Sequence, residues 1–260
     1  MSTFKRIISF GSSFVRDAIE HENPKRPNHN PSLLHIGKIS FTRFLAEKMD
    51  LPFYNFGNGG ASLYNAFRHF YLFLKHNPNL IEDTLFIWGF TFADRFGFPQ
   101  PNEELKKDVL TYKVNGIDTG HEFNHVYVKK RKLPYSFQDM EQFAWIWDCS
   151  VQEATDVARF NTERIYDRGA FEEHMRMSIE VYQNYINSIT ENTIYINCVE
   201  SNMGYIPHTY RFPNGETSWR DYIRGYDSIY RGEHPNADDH KRMSELLYTH
   251  IQEKFPEKIT

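Results

Sequence analysis

Three short apolar runs set the frame for this chain, because each stops at a glycine and the first two are followed by residues spaced for a helix. Residues 7–10 run into Gly11-Ser12-Ser13, residues 51–56 into Gly57-Asn58-Gly59-Gly60, and residues 84–88 stop at Gly89. Runs this short, bounded by turn residues, read as buried strands rather than helices. The first feeds a tight turn and then a predicted helix over 14–20. After Ser40, a predicted N-cap, Phe41, Phe44, Leu45 and Met49 fall at helical spacing. Ser62 opens a further amphipathic helix to about residue 75, with Phe67, Tyr71 and Leu74 on one face. Strands alternating with helices across short glycine-bearing turns imply a parallel sheet covered by helices on both faces. In such folds the ligand sits beyond the carboxyl ends of the strands. All three strand ends here carry small or polar residues, which is the first sign of a site.

Residues 97–170 break the rhythm, mixing Pro, Gly, aromatics and charges around a strand or hairpin at 123–128. They read as an insertion or lid on one domain spanning residues 1–260. Alternation resumes with a helix over 171–189 and a strand over 193–198. An irregular aromatic-rich loop covers 201–232, and His234-Pro235-Asn236 then opens a last helix over 237–255.

The composition suits a packed domain: 40% of the 260 residues are apolar and 16% aromatic, enough for a sizeable core. A net charge of −4 with interspersed signs gives no polyanion-binding surface, so no nucleic-acid partner is expected. The one basic run, Lys129-Lys130-Arg131-Lys132, reads as a solvated loop or strand end. Cys149 and Cys198 cannot make a disulfide framework, and free thiols suit a reducing compartment. The apolar stretch after Lys5-Arg6 is too short for a signal peptide, and no stretch approaches the ~20 apolar residues of a membrane span. The expectation is a cytoplasmic protein with no membrane partner.

A serine on a sharp strand-to-helix turn is a candidate nucleophile, since the turn exposes the hydroxyl and offers backbone N–H groups to an oxyanion. Ser13 holds that position. Gly60 ends the second strand with a backbone N–H that a substrate can approach closely, because no side chain intervenes. Thr91, past the third strand, offers a hydroxyl to the same oxyanion. His234, at a loop-to-helix junction, is the candidate general base. Each feature is common alone; their order on successive strand ends is the stronger signal.

With those residues in place, the chain resembles the SGNH/GDSL hydrolase superfamily over most of its length outside the insertion. By that resemblance Ser13, in the block at residues 7–14, matches the family nucleophile, with Ser12 where an Asp is usual. Asn55 to Gly60 matches the N-x-x-x-x-G block, Gly89 to Phe92 the third block, and Arg231 to Pro235 the block that carries His234. The resemblance implies a flavodoxin-like α/β fold, a three-layer α/β/α sandwich around a parallel sheet of about five strands. It implies an ester hydrolase acting on a small acyl or carbohydrate O-acetyl ester, with neither metal nor organic cofactor. Ser13, Gly60 and Thr91 would form the oxyanion hole. The stretches W-G-F-T-F-A-D-R-F at 88–96 and H-P-N-A-D-D-H at 234–240 are similar to divergent members encoded by tailed bacteriophages, which leaves a virion-associated location open.

Two departures bear on catalysis. Thr91 stands in place of the oxyanion-hole Asn. Arg231 stands in place of the Asp that orients the imidazole, and a permanent cation there disfavours a charged His234. Asp94, Asp227 and Glu233 are the carboxylates that remain to orient His234. Asp94 and Arg95 also read as a structural ion pair. A catalytically weak or inactive binding or structural protein on the same scaffold is the alternative. A minor one is a zinc hydrolase, since His121-Glu122-Phe123-Asn124-His125 spells H-E-x-x-H. That chemistry needs a helix, whereas Phe123, Val126, Tyr127 and Val128 read as strand.

Overall fold

The structure is a computed structural model. It describes residues 3–11, 14–15, 18–19, 38–57, 63–90, 98–99, 113–114, 117–118, 125–126, 150–160, 168–198, 206–224 and 235–259. Four strands, β1 (Arg6–Gly11), β2 (Phe53–Gly57), β3 (Thr84–Phe90) and β4 (Thr193–Asn197), form a parallel sheet in the order β4-β3-β1-β2. The helices are α1 (Phe41–Lys48), α2 (Leu63–His76), α3 (Val151–Phe160), α4 (Arg168–Asn187), α5 (Trp219–Arg224) and α6 (Ala237–Lys254). No helix among the described residues is long and apolar enough to cross a membrane. Beyond β4 the pairing continues as a single parallel bridge, Tyr195 to Thr209, closed by the Tyr210 N–H donating to the Tyr195 carbonyl at 2.7 Å. Among the described residues the sheet therefore has four strands plus one bridge, against the roughly five strands expected.

Alternation along the strands sorts the core into two chemically different faces. Ile7, Leu85, Ile87, Ile194 and Ile196 point to one side, where Phe41 and Leu45 of α1 and Met243, Leu247 and Ile251 of α6 cover them. Ile8, Phe10, Phe86, Trp88, Phe90 and Tyr195 point to the other, under Phe70 and Phe73 of α2 and Met175 and Ile179 of α4. The second face is largely aromatic: Phe10 meets Phe56, Phe70 and Trp88 with ring centroids 5.2–5.5 Å apart. β3 is buried at all seven positions, as expected for an inner parallel strand covered on both faces. At the amino ends, Arg6 of β1 and Asp83 before β3 form an ion pair that ties these strands together.

Most expected elements form close to their sequence positions. Ser40 caps α1, its hydroxyl accepting from Arg43 N at 3.1 Å. The capping box of Asn236 and Asp239 opens α6. The helix expected over 14–20 does not form. Phe14 and Val15 lie in a turn, and Ala18–Ile19 is a short strand antiparallel to Lys38–Ile39. The segment is too short to hold a helix unaided. Val15, in addition, is drawn onto Gly11 and Gly89, a long-range contact that local spacing does not encode. Among the described residues of the insertion are α3 and four two-residue strands; His125–Val126 pairs antiparallel with Phe98–Pro99, and Lys113–Val114 with Ile117–Asp118. His125 thus lies in a strand, not in the helix that an H-E-x-x-H zinc site requires. His121 and Cys149 lie outside the described residues.

Candidate active site at the carboxyl edge of the sheet

Crossing from β2 to β3 takes the chain over β1, while the covering helix changes face from α1 to α2. The strand order therefore reverses between β1 and β3, and that boundary is where an open α/β sheet forms its crevice. Here the carboxyl edge is a row of glycines in register: Gly57 opposite Gly11, and Gly11 opposite Gly89. Gly11 has φ +149°, and a Cβ on it would lie 2.5 Å from the Gly89 carbonyl oxygen. A Cβ on Gly89 would meet Val15 Cγ2 at 2.2 Å and Cys198 Sγ at 2.9 Å. The chain can fold back from β1 onto its own sheet edge only because these positions carry no side chain. In the sequence, Ser12 and Ser13 stand between Gly11 and Phe14.

Asn55 of β2 fixes the far end of the turn. Its amide nitrogen donates to the Val15 carbonyl at 2.7 Å, and its carbonyl oxygen accepts from Gly57 N at 2.8 Å. The same nitrogen lies 3.4 Å from the Thr42 hydroxyl, itself 3.1 Å from Ser40 Oγ at the start of α1. One side chain thus ties the β1 turn, the end of β2 and the α1 terminus together. Asn55→Ala is expected to cost about 1–3 kcal/mol, the penalty of stranding partly buried partners, read as a lower denaturation midpoint with an unchanged slope. Asn55→Asp cannot donate to the Val15 carbonyl and is expected to rescue little. A loss below about 0.5 kcal/mol for both would sink this anchoring role.

The chain that follows His234 docks on the same side. Pro235 is buried, and His240, in the first turn of α6, accepts the Phe41 N–H on Nδ1 at 2.9 Å. His240 therefore serves one of the free N–H groups that begin α1, and its ring stacks on Phe41. Trp219 of α5 touches Phe14, Phe41 and His240, with centroids 5.9, 5.0 and 5.1 Å away. So the residue after Ser13 and the helix after His234 share one buried indole. Burial pushes the Asp239 carboxyl up, against the pull of its hydrogen bond from Asn236 N and of Arg242. At the end of β4, burial also pushes the Cys198 thiol up, which removes it as a thiolate nucleophile at this edge.

Of the residues expected to form the site, the structure describes Asn55. Ser13, Gly60, Thr91, Asp94, Arg95, Asp227, Arg231, Glu233 and His234 lie outside the described residues. The sequence reading missed Trp219, Val15 and Thr42. Only Trp219 had a legible signal, since Ser218 and Asp221 make the S-x-x-D pattern of a helix start, and Asp221 N donates to Ser218 Oγ at 3.2 Å. Comparison with known proteins finds no matching family model, no matching curated protein and no matching solved structure.

Proposed function

We propose that the chain is an ester hydrolase of the SGNH type, built as a flavodoxin-like three-layer sandwich and acting on a small acyl or carbohydrate O-acetyl ester. The observation that carries the reading is the turn after β1. It leaves the sheet at the β1/β3 reversal, starts from a glycine that tolerates no side chain, and is tied down by Asn55. A turn leaving a strand at this point of the fold suits a nucleophile, and in the sequence Ser13 stands between Gly11 and Val15.

In this mechanism Ser13 Oγ attacks the ester carbonyl carbon while His234 takes the hydroxyl proton. The oxyanion is held by the backbone N–H groups of Ser13 and Gly60, with the Thr91 hydroxyl assisting. Collapse expels the alcohol, which receives the proton from His234, and leaves an acyl-serine. Water, deprotonated by His234, then releases the acid and restores the serine. Loss of one oxyanion donor costs about 3–4 kcal/mol, so Thr91 for Asn predicts slow turnover. Arg231 for Asp acts in the same direction. Those two substitutions are also what favours the second reading, a binding module on the same scaffold.

Labelling by a fluorophosphonate, mapped by peptide analysis, separates the two. Under the hydrolase reading Ser13 is modified, Ser13→Ala abolishes labelling, and His234→Ala lowers its rate by two orders of magnitude or more. Absence of labelling in the folded protein across the neutral pH range would leave only the binding module.

A further inference from the structure

On the aromatic side of the sheet, α2 and α4 lie against each other through Phe67, stacked on Tyr182 at 4.0 Å and edge-on to Tyr185 at 5.5 Å. Their outer surfaces are not what a solvated helix pair presents. Tyr64 and Tyr71 of α2 are 47% and 50% exposed; Met177, Val181 and Tyr185 of α4 are 58%, 63% and 39% exposed. Monomeric proteins scatter such side chains singly, whereas here five are gathered on two touching helices.

The charges on these helices are segregated too. Helical spacing puts Tyr64, Arg68, Tyr71 and Lys75 in one row on α2, and no carboxylate occurs anywhere in that helix. On α4, Met177, Val181 and Tyr185 form a row at intervals of four, flanked by exposed Glu173 and Glu180. The whole helix has Glu172, Glu173 and Glu180 against Arg168 and Arg176, so it carries a net negative charge where α2 is cationic. One helix thus offers tyrosines alternating with cations, and its neighbour offers apolar residues beside carboxylates.

We propose that this face is a symmetric homodimer interface in which α2 of one copy packs on α4 of the other. A two-fold axis running along the helices makes that pairing twice over, so each cationic row meets an acidic one. The other two-fold arrangement sets α2 on α2 and α4 on α4, and it is disfavoured because like charges oppose each other. The apolar rows supply the burial and the charges choose the pairing.

Sedimentation velocity of the full chain, from low-micromolar to near-millimolar concentration, tests this. A reversible monomer–dimer equilibrium is expected. Tyr71→Glu combined with Val181→Glu is expected to weaken it by roughly a hundredfold, the effect of losing two central interface side chains. Reversing the charges of one row (Arg68→Glu, Lys75→Glu) is expected to weaken it as well. Adding Glu173→Lys and Glu180→Lys is expected to restore it, since the two rows are then complementary with signs exchanged. Tyr71, Lys75, Glu173, Glu180 and Val181 are exposed and Arg68 is half-buried, so far-UV circular dichroism of each variant should match the parent. A protein that stays monomeric throughout overturns the proposal. So does a dimer that none of these variants disturbs, because it would use another face.

Discussion

Gly11→Ala and Gly89→Ala are each expected to lower the stability of the protein by about 3 kcal/mol or more, through overpacking at a site that cannot expand. The two differ in what stands in the way. At Gly11 the obstacle is the Gly89 carbonyl oxygen, 2.5 Å from the added carbon, and φ is +149° besides. Both are backbone features, and they remain even if Val15 Cγ2, 2.8 Å from the same added carbon, moves aside. At Gly89 the nearest atoms belong to Val15 and Cys198 side chains. Val15→Ala removes the closest of them and leaves Val15 Cβ at 3.7 Å, an ordinary contact. The pair Val15→Ala and Gly89→Ala is therefore expected to be less damaging than the sum of its parts by about 1 kcal/mol or more. The pair Val15→Ala and Gly11→Ala should show little such relief. Urea unfolding of the five variants reads all of this. A Gly11→Ala protein within about 0.5 kcal/mol of the parent would contradict the close approach of β1 to β3 at the site edge.

Trp219 carries the second large effect. Its ring is fully buried and bridges Phe14, Phe41 and His240. Trp219→Ala opens a cavity where α1, α5, α6 and the β1 turn meet, at an expected cost of about 3–5 kcal/mol. Among the described residues the buried indole N–H meets no hydrogen-bond partner. Trp219→Phe therefore keeps most of the aromatic contact and removes an unpaired polar group, so its cost is expected to be no more than about half as large. Equal losses in the two variants would show that the N–H matters and that the contact account is wrong. Under the proposed function, Trp219→Ala is also expected to slow fluorophosphonate labelling of Ser13 in the folded fraction more than Trp219→Phe does. The indole touches the neighbour of the nucleophile and the helix that follows the base.

The sequence carried the fold class because its strongest signals are local and periodic. Short apolar runs ending in glycine became β1, β2 and β3, and the caps at Ser40 and Asn236 mark helix starts in the structure. α3 and α5 were also within reach. Ser150 and Glu153 exchange capping hydrogen bonds at one of them, and Ser218 with Asp221 marks the other, yet both fell inside stretches read as irregular. The helix expected over 14–20 failed for a different reason. Its apolar residues answered to partners far away in the chain: Val15 to Gly89, and Ala18–Ile19 to Lys38–Ile39.

Within the candidate site, the sequence by itself determined which residue types stand at the strand ends, and so the chemistry the edge can support. It determined that Gly11, Gly57 and Gly89 stand at or next to the ends of their strands, and that Asn55 lies two residues before one of them. Only the tertiary structure decided that the three glycines lie in one row, that the strand order reverses between β1 and β3, and that Asn55 reaches across to Val15. The physical reason is that strand ends are set by local steric and apolar patterns, whereas strand order and register are set by burial on both faces at once. That burial is a property of aliphatic and aromatic side chains gathered from the whole chain, so no single window of sequence displays it.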